Sequence, residues 1–265
     1  MLIQRKLRKL WRLGHLGFHD FAVYFGADLW HRGLAKLGLA AREKVYLLRA
    51  GSSAWPLQVR ANTSDKKVFC MIHVDREYAP LDDLDDVRLV VDCGANVGYA
   101  SAYFLSRFPQ ARVVAVEPDD RNFEMLRRNM QPYGDRASLR HAGVWSHPAA
   151  LVVCRSAYRD GGAWATQVRE CQGGEAADVQ ATDIGTLLAE SGCDVIDILK
   201  IDIERSELVV FARNFEPWLG RVRNLVIELH DEECRQVFFQ ALSPYTYDLC
   251  QSGELTICKD LRPAG

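Results

Sequence analysis

The stretch Val90–Gly98, VVDCGANVG, constrains what this chain can fold into more than any other. Leu89, Val90 and Val91 form a short continuous apolar run, the pattern of a parallel strand covered on both faces. Gly94 and Gly98 then let the backbone turn sharply and approach a ligand with no Cβ in the way. A helix-like segment follows, and a second apolar strand, Arg112–Glu117 (RVVAVE), ends in an acid 23 residues beyond Gly94. In a βαβ unit that spacing brings an acidic side chain to ribose hydroxyls. The unit reads as a nucleoside-cofactor site, with a plain strand-to-helix turn as the alternative.

Charge selects the nucleoside. A dinucleotide site usually carries three glycines, because a pyrophosphate must sit against the turn and the helix N-terminus. Here the pattern is D-x-G-x-N-x-G. Asp92 would repel a pyrophosphate and attract the ammonium or sulfonium of S-adenosylmethionine, which carries no phosphate. Asp92, Gly94, Asn96 and Gly98 are therefore the expected methionine-end and turn residues, and Glu117 the ribose residue. The adenine contact is placed at Ala142, within the segment His141–Val144 after a third strand. Asp119 is read as the cap of the helix that follows Glu117.

Farther along, the segment DILKIDIERSE (Asp197–Glu207), with VVDCGANVG upstream and LVIELH (Leu225–His230) downstream, resembles the FkbM family of S-adenosylmethionine-dependent methyltransferases. NTSDKKVF (Asn62–Phe69), REY (Arg76–Tyr78) and TDIGTLL (Thr182–Leu188) extend the resemblance in family order over about residues 60 to 230. It implies a Rossmann-like class I methyltransferase fold, an α/β architecture whose mostly parallel sheet ends in an antiparallel hairpin. It also implies O-methyl transfer to a hydroxyl of a sugar, glycolipid or natural product. A non-catalytic module that binds S-adenosylmethionine or a membrane is the alternative. The family usually has Gly after Asp-x-Glu, where this chain has Arg205, a cation that would reshape the acceptor pocket. The same resemblance makes Ser64, Asp65 and Tyr78 candidates for the pocket rim, although Ser64 and Asp65 can also cap a helix starting at Lys66.

An alcohol oxygen is a poor nucleophile until its proton is being removed, so a positioned base is expected. Lys200, Asp202 and Glu204 alternate with Ile201 and Ile203, and share a face if that strand stays extended. Asp202, Glu204 and His230 are the catalytic candidates. Lys200 reads as a partner for a nearby carboxylate, since an unpaired buried cation is costly. Asp202, Glu228 and His230 could instead share a divalent ion, but nothing in the spacing demands a metal, and none is expected.

The rest of the chain sets limits. At 265 residues and 48% hydrophobic it can bury a full core. A net charge of −2 argues against a general nucleic-acid partner, which would need basic excess to neutralise phosphates. Eight cysteines without a C-x-x-C pair read as reduced thiols in a cytoplasmic protein. Residues 1–87 are expected to be an N-terminal helical and lid region, and 88–265 the methyltransferase domain. Within residues 1–13, Arg5, Lys6, Arg8, Lys9 and Arg12 face no acid, while Ile3, Leu7, Leu10 and Trp11 recur at helical spacing. Such a helix can lie on an anionic membrane surface or pack on its own domain. Strands are expected near 88–92, 112–117, 137–144, 195–202 and 222–229, helices near 97–107 and 119–130 and beginning near 183, 206 and 231, and a closing hairpin about Gln251–Gly253. LVVC (Leu151–Cys154) is expected to extend the third strand as a hairpin, and residues 161–178 to form a mobile loop bringing Trp164 to the acceptor.

Overall fold

The computed structural model describes residues 45–154 and 166–265. The basic amphipathic segment of residues 1–13, the aromatic-rich stretch near 20–39 and Trp164 lie outside the described residues.

Residues 45–87 differ from the helical region expected of them. They open with an antiparallel hairpin of β1 (Val45–Leu48) and β2 (Leu57–Arg60). A one-turn helix, α1 (Asp65–Phe69), then runs into a π-helical turn over Cys70–Val74. Packing supplies the reason: Leu48, Leu57, Val59 and Phe69 are buried in the same hydrophobic cluster as Val90 and Phe104, so the segment forms a wall of the main body. Asp65 does not cap α1. It takes a two-pronged contact from Arg60 at 2.9 and 2.7 Å, and Arg60 also donates to Asn122 at 2.8 Å. That buried pair ties the wall to the domain behind it.

The alternation expected after Val87 is present. β3 (Leu89–Cys93), α2 (Tyr99–Arg107), β4 (Arg112–Glu117), α3 (Asp120–Met130) and β5 (Ala137–His141) follow one another. Asp119 caps α3 by accepting from the backbone of Arg121 and Asn122. The third strand stops at His141, however, and Gly143–Val144 form β6 in a separate sheet. There β7 (Ala150–Cys154) pairs with β8 (Gln167–Glu170) and β9 (Val179–Thr182), in the order β6-β9-β7-β8. β7 therefore extends no hairpin from β5. Residues read as loop become strand at β8, because Val168 packs beside Trp145, Leu151, Val153 and Val179.

α4 (Ile184–Ser191), β10 (Ile196–Ile201), the short helices α5 (Glu207–Val210) and α6 (Glu216–Leu219), β11 (Val222–Glu228) and α7 (Glu232–Ala241) continue the alternation. β12 (Tyr245–Ser252) and β13 (Leu255–Pro263) end it in a hairpin. The main sheet runs β12-β13-β11-β10-β3-β4-β5, parallel from β11 to β5 and antiparallel at β13 and β12. Alternate residues face two cores: Val90, Ala115, Ile198 and Val226 one, Val91, Val116, Leu199 and Ile227 the other.

Strand order reverses between β3 and β10, and open sheets of this kind bind ligands beyond the carboxyl ends of the strands at such a point. Gly94 and Gly98, with φ of +79° and +88°, make the turn there. The close approach they permit is by the chain itself. A Cβ on Gly94 would stand 1.8 Å from the Asp202 carbonyl oxygen, and one on Gly98 would stand 2.7 Å from Leu126 Cδ1.

Candidate active site

Asp92 and Lys200 lie opposite one another on β3 and β10. Lys200 Nζ is 3.1 Å from Asp92 Oδ1 and donates to the Gly94 carbonyl at 2.6 Å, while Ser101 on α2 donates to the other Asp92 oxygen at 2.6 Å. Both charges are buried, Asp92 completely. Burial works against the ammonium, and the Asp92 and Asp202 carboxylates overcome it, holding Lys200 well above the ordinary lysine range. This is the carboxylate partnership expected of Lys200. It also differs from the methionine-end role expected of Asp92, which is ion-paired within the sheet and lines neither pocket described below.

Beyond Ile201 the chain stops being a strand. Glu204 and Arg205 adopt φ of +49° and +76°, a left-handed pair that folds the segment back on itself. Ile203 N–H donates to Glu207 Oε1 at 3.0 Å, closing the turn. Lys200, Asp202 and Glu204 thus do not share a strand face. The conformation also explains the family's Gly after Asp-x-Glu, because a residue with a Cβ held there costs about 1–2 kcal/mol. Arg205 turns away from the pocket to Asp231 at 2.6 Å and Glu233 at 2.8 Å, against the start of α7, so it does not reshape the acceptor side as expected. We expect Arg205→Gly to change stability by less than about 1 kcal/mol, since relief of strain offsets the loss of two exposed ion pairs. Thermal melts check this, and an altered acceptor preference in that variant would contradict the placement.

His230 follows β11 with its side chain fully enclosed. Its Nε2 lies 3.3 Å from Glu204, 3.7 Å from Asp202 and 3.8 Å from Glu228, and its Nδ1 lies 3.2 Å from Glu207. Burial disfavours the charged ring, but the Glu204 and Glu207 carboxylates and the Asp202 charge outweigh it and push His230 up to about 11. With no cation in the cluster the surrounding acids favour the protonated ring. His230 thus faces four acids, an arrangement that favours a positioning role over that of a base. Asp202 is raised above the usual carboxylate range by burial, with Lys200 and His230 pulling the other way. The 35% exposure of its side chain lets water moderate that rise. Burial and the Asp202 charge push Glu228 up to about 8.

Two pockets open on this junction. The first is walled by Glu117, Pro118, Asn122, Ala142, Val144, Thr166 and Val168, the second by Val68, Met71, Glu77, Tyr78, Lys200, Glu228 and Leu255. Gly94, Asn96, Asp202 and Glu204 belong to both. Of the residues expected to meet the cofactor, Gly94, Asn96, Glu117 and Ala142 reach the first pocket, whereas Asp92 and Gly98 lie behind its wall. Glu117 is buried and accepts from Asn96 N–H at 2.9 Å on Oε2 and from Asp119 N–H at 3.0 Å and the Asn122 amide at 3.4 Å on Oε1, leaving a lone pair free on Oε2 and one only weakly held on Oε1. Burial pushes its carboxyl up to about 7. Tyr78 reaches the second pocket as a rim candidate should, while Ser64 and Asp65 line neither. Sequence reasoning missed Glu77 and Glu207. Glu207 closes the quoted run DILKIDIERSE and looks there like an ordinary first-turn acid of α5, so no spacing pairs it with His230.

A family model described as the FkbM methyltransferase domain matches residues 92–248, from the end of β3 into β12. The chain belongs to the FkbM methyltransferase family. Curated relatives agree. Methyltransferase sdnD of Sordaria araneosa is 27% identical over 169 residues, 52% of this chain and 65% of its own length. The 31-O-demethyl-FK506 methyltransferase FkbM of Streptomyces tacrolimicus is 28% identical over 170 residues, 54% of this chain and 65% of its own. The AMB antimetabolite synthetase AmbE of Pseudomonas aeruginosa is 28% identical over 178 residues, 54% of this chain but 8% of that protein. The chain thus spans less than two thirds of each of these relatives. The FkbM assignment makes this a class I methyltransferase fold with S-adenosylmethionine as its cofactor. The first pocket fits that molecule: its charged walls among the described residues, Glu117, Asp202 and Glu204, are all acids, which suit a sulfonium and would repel a pyrophosphate.

Proposed function

We propose that this FkbM methyltransferase moves a methyl group from S-adenosylmethionine to a hydroxyl of a sugar, glycolipid or natural product. The observation that carries the reading is the meeting of two pockets at Gly94, Asn96, Asp202 and Glu204. One side suits the nucleoside and the other a partly apolar acceptor. Bound cofactor supplies a methyl carbon on a sulfonium, whose sulfur leaves as a neutral thioether. Alignment of the two reactants across the junction supplies much of the acceleration. Asp202, at the junction and raised above the ordinary carboxylate range by burial, accepts the hydroxyl proton as the acceptor oxygen bonds to the methyl carbon. His230 is not the base in this reading and fixes Glu204 and Asp202 in place. Lys200 anchors β3 to β10 beneath them.

A transfer assay with hydroxyl-bearing glycans, glycolipids and polyketides tests this, with thioether release and mass spectrometry of the product as readouts. An O-methyl product is the expected outcome. Cofactor binding without turnover on any acceptor would favour the non-catalytic module, and a methyl on nitrogen or carbon would remove the hydroxyl.

The cations of residues 1–13 extend the proposal to peripheral contact with anionic lipid, each contributing about 1 kcal/mol at low salt. No helix among the described residues is long and apolar enough to cross a membrane. Vesicle sedimentation checks the contact: binding should favour anionic vesicles, fade with salt, and vanish when residues 1–13 are deleted.

A further inference from the structure

We infer that Asp202, Glu228 and His230 form a site for one divalent cation of the Mn²⁺ or Mg²⁺ class on the floor of the acceptor pocket. One carboxylate oxygen from each acid and one imidazole nitrogen lie within 4.8 Å of one another. They come from the ends of neighbouring parallel strands, β10 and β11, which hold them in fixed relation. His230 and Glu204 are each 8% exposed. His230 Nε2 points into this cluster, where a cation would replace its proton, and neither it nor Glu204 Oε2 makes a hydrogen bond of acceptable geometry. Unsatisfied polar atoms that deep in a structure call for a partner.

The chemistry of the set selects the class. Two carboxylates with one imidazole suit a hard to borderline divalent ion and lack the thiolates that would favour a soft one. Three protein ligands would leave positions for water and an acceptor oxygen, since such ions hold about six ligands. Glu207 completes the arrangement from behind. Its Oε1 lies 3.2 Å from His230 Nδ1, fully buried though short of hydrogen-bond geometry, and a carboxylate at the far ring nitrogen is the usual partner that orients an imidazole toward a metal. The charge balance points the same way. Asp202, Glu204, Glu207 and Glu228 surround one imidazole, and the other nearby cation, Lys200, is already engaged by Asp92 and the Gly94 carbonyl. The site itself stands without the hydroxyl reading. Only the use of the ion, to bind the acceptor oxygen and ease loss of its proton, rests on that reading.

The test uses the full chain and Mn²⁺ alone, followed by loss of the free-ion electron paramagnetic resonance signal and by thermal melting. One ion per chain is expected, with a rise in Tm. Glu228→Gln should weaken binding by about 10- to 100-fold and abolish the rise, and Glu207→Gln should weaken it by about 10-fold through the orientation of His230. Glu228 sits on the pocket wall with its side chain 13% exposed, so its amide variant keeps the test alive if His230→Gln fails to fold. Absence of Mn²⁺ binding at millimolar concentration, or equal affinity in wild type and both variants, would overturn the site. Activity separates the two proposals. Mn²⁺ binding with no hydroxyl turnover keeps the site and removes the function, whereas O-methylation that proceeds without Mn²⁺ binding does the reverse.

Discussion

Asp202→Asn should lower kcat by about 10²- to 10⁴-fold, the range a positioned general base supplies, while the affinity for S-adenosylmethionine changes little. Single-turnover kinetics with a hydroxyl acceptor, alongside calorimetry of cofactor binding, measure both halves of this statement. The pH profile gives an independent readout. Burial raises the Asp202 carboxyl, so the wild-type rate should climb as pH rises through that raised value and fall in acid as the base takes up its proton. The asparagine variant should lose that limb. Glu204→Gln and His230→Gln serve as contrasts: if they position Asp202, they lower the rate less and leave the acid limb in place. Wild-type turnover in Asp202→Asn would falsify the base assignment, and a lost cofactor affinity would move Asp202 to the methionine end.

Glu117→Ala should weaken S-adenosylmethionine binding by about 1.5–3 kcal/mol for each charged hydrogen bond to a ribose hydroxyl that is lost. With both hydroxyls engaged the total is about 3–6 kcal/mol, or roughly 10²- to 10⁴-fold in Kd. Because burial lifts Glu117 to about 7, the ionised acceptor forms only as pH rises through neutrality. Affinity should therefore fall from pH 8 to pH 6 in the wild type and stay flat in Glu117→Gln. The stability of the cofactor-free protein should run the opposite way. A carboxyl with a raised folded-state pKa binds more protons folded than unfolded, so its contribution is greatest below the unfolded value and is lost toward pH 7. Calorimetric Kd values that match between wild type and a folded Glu117→Ala protein would end the ribose assignment.

The main sheet was legible because it is written in contiguous letters. Leu89–Val91, RVVAVE and DILKI lie in strands buried on both faces, so each reads as a largely apolar run whose ends fall within a residue or two of β3, β4 and β10. β6 and β9 were not, because a two-residue strand and a four-residue strand pair only through a neighbour far along the chain. The hairpin of β1 and β2 left an apolar alternation too short to weigh against the helical patterns before it. At the site, sequence picked out acids that the fold brings together and missed their electrical state. His230 is drawn toward its charged form because Glu204 and Glu207 converge on it from a left-handed turn and a four-residue helix, and Asp92 is ion-paired because Lys200 stands opposite it. Both facts depend on register between separate elements, which no linear spacing records. Arg205 belongs with them: its departure from the family's Gly was visible, but the positive φ that gives the departure its meaning was not.

Asp202 and Glu204, shared by the two pockets, also bear on how such an enzyme can diversify. A substitution at the shared wall alters the donor and acceptor sides together, so new acceptors are poorly reached from there. The segment from Val68 to Tyr78 faces only the acceptor side, on a wall carried by the β1 and β2 hairpin and α1. Changes at Met71, Ile72 or Tyr78 can retune which hydroxyl enters while the methyl donor stays seated as before. If the second pocket takes the acceptor as proposed, acceptor range is an attribute of the flanking wall, and donor choice an attribute of the sheet.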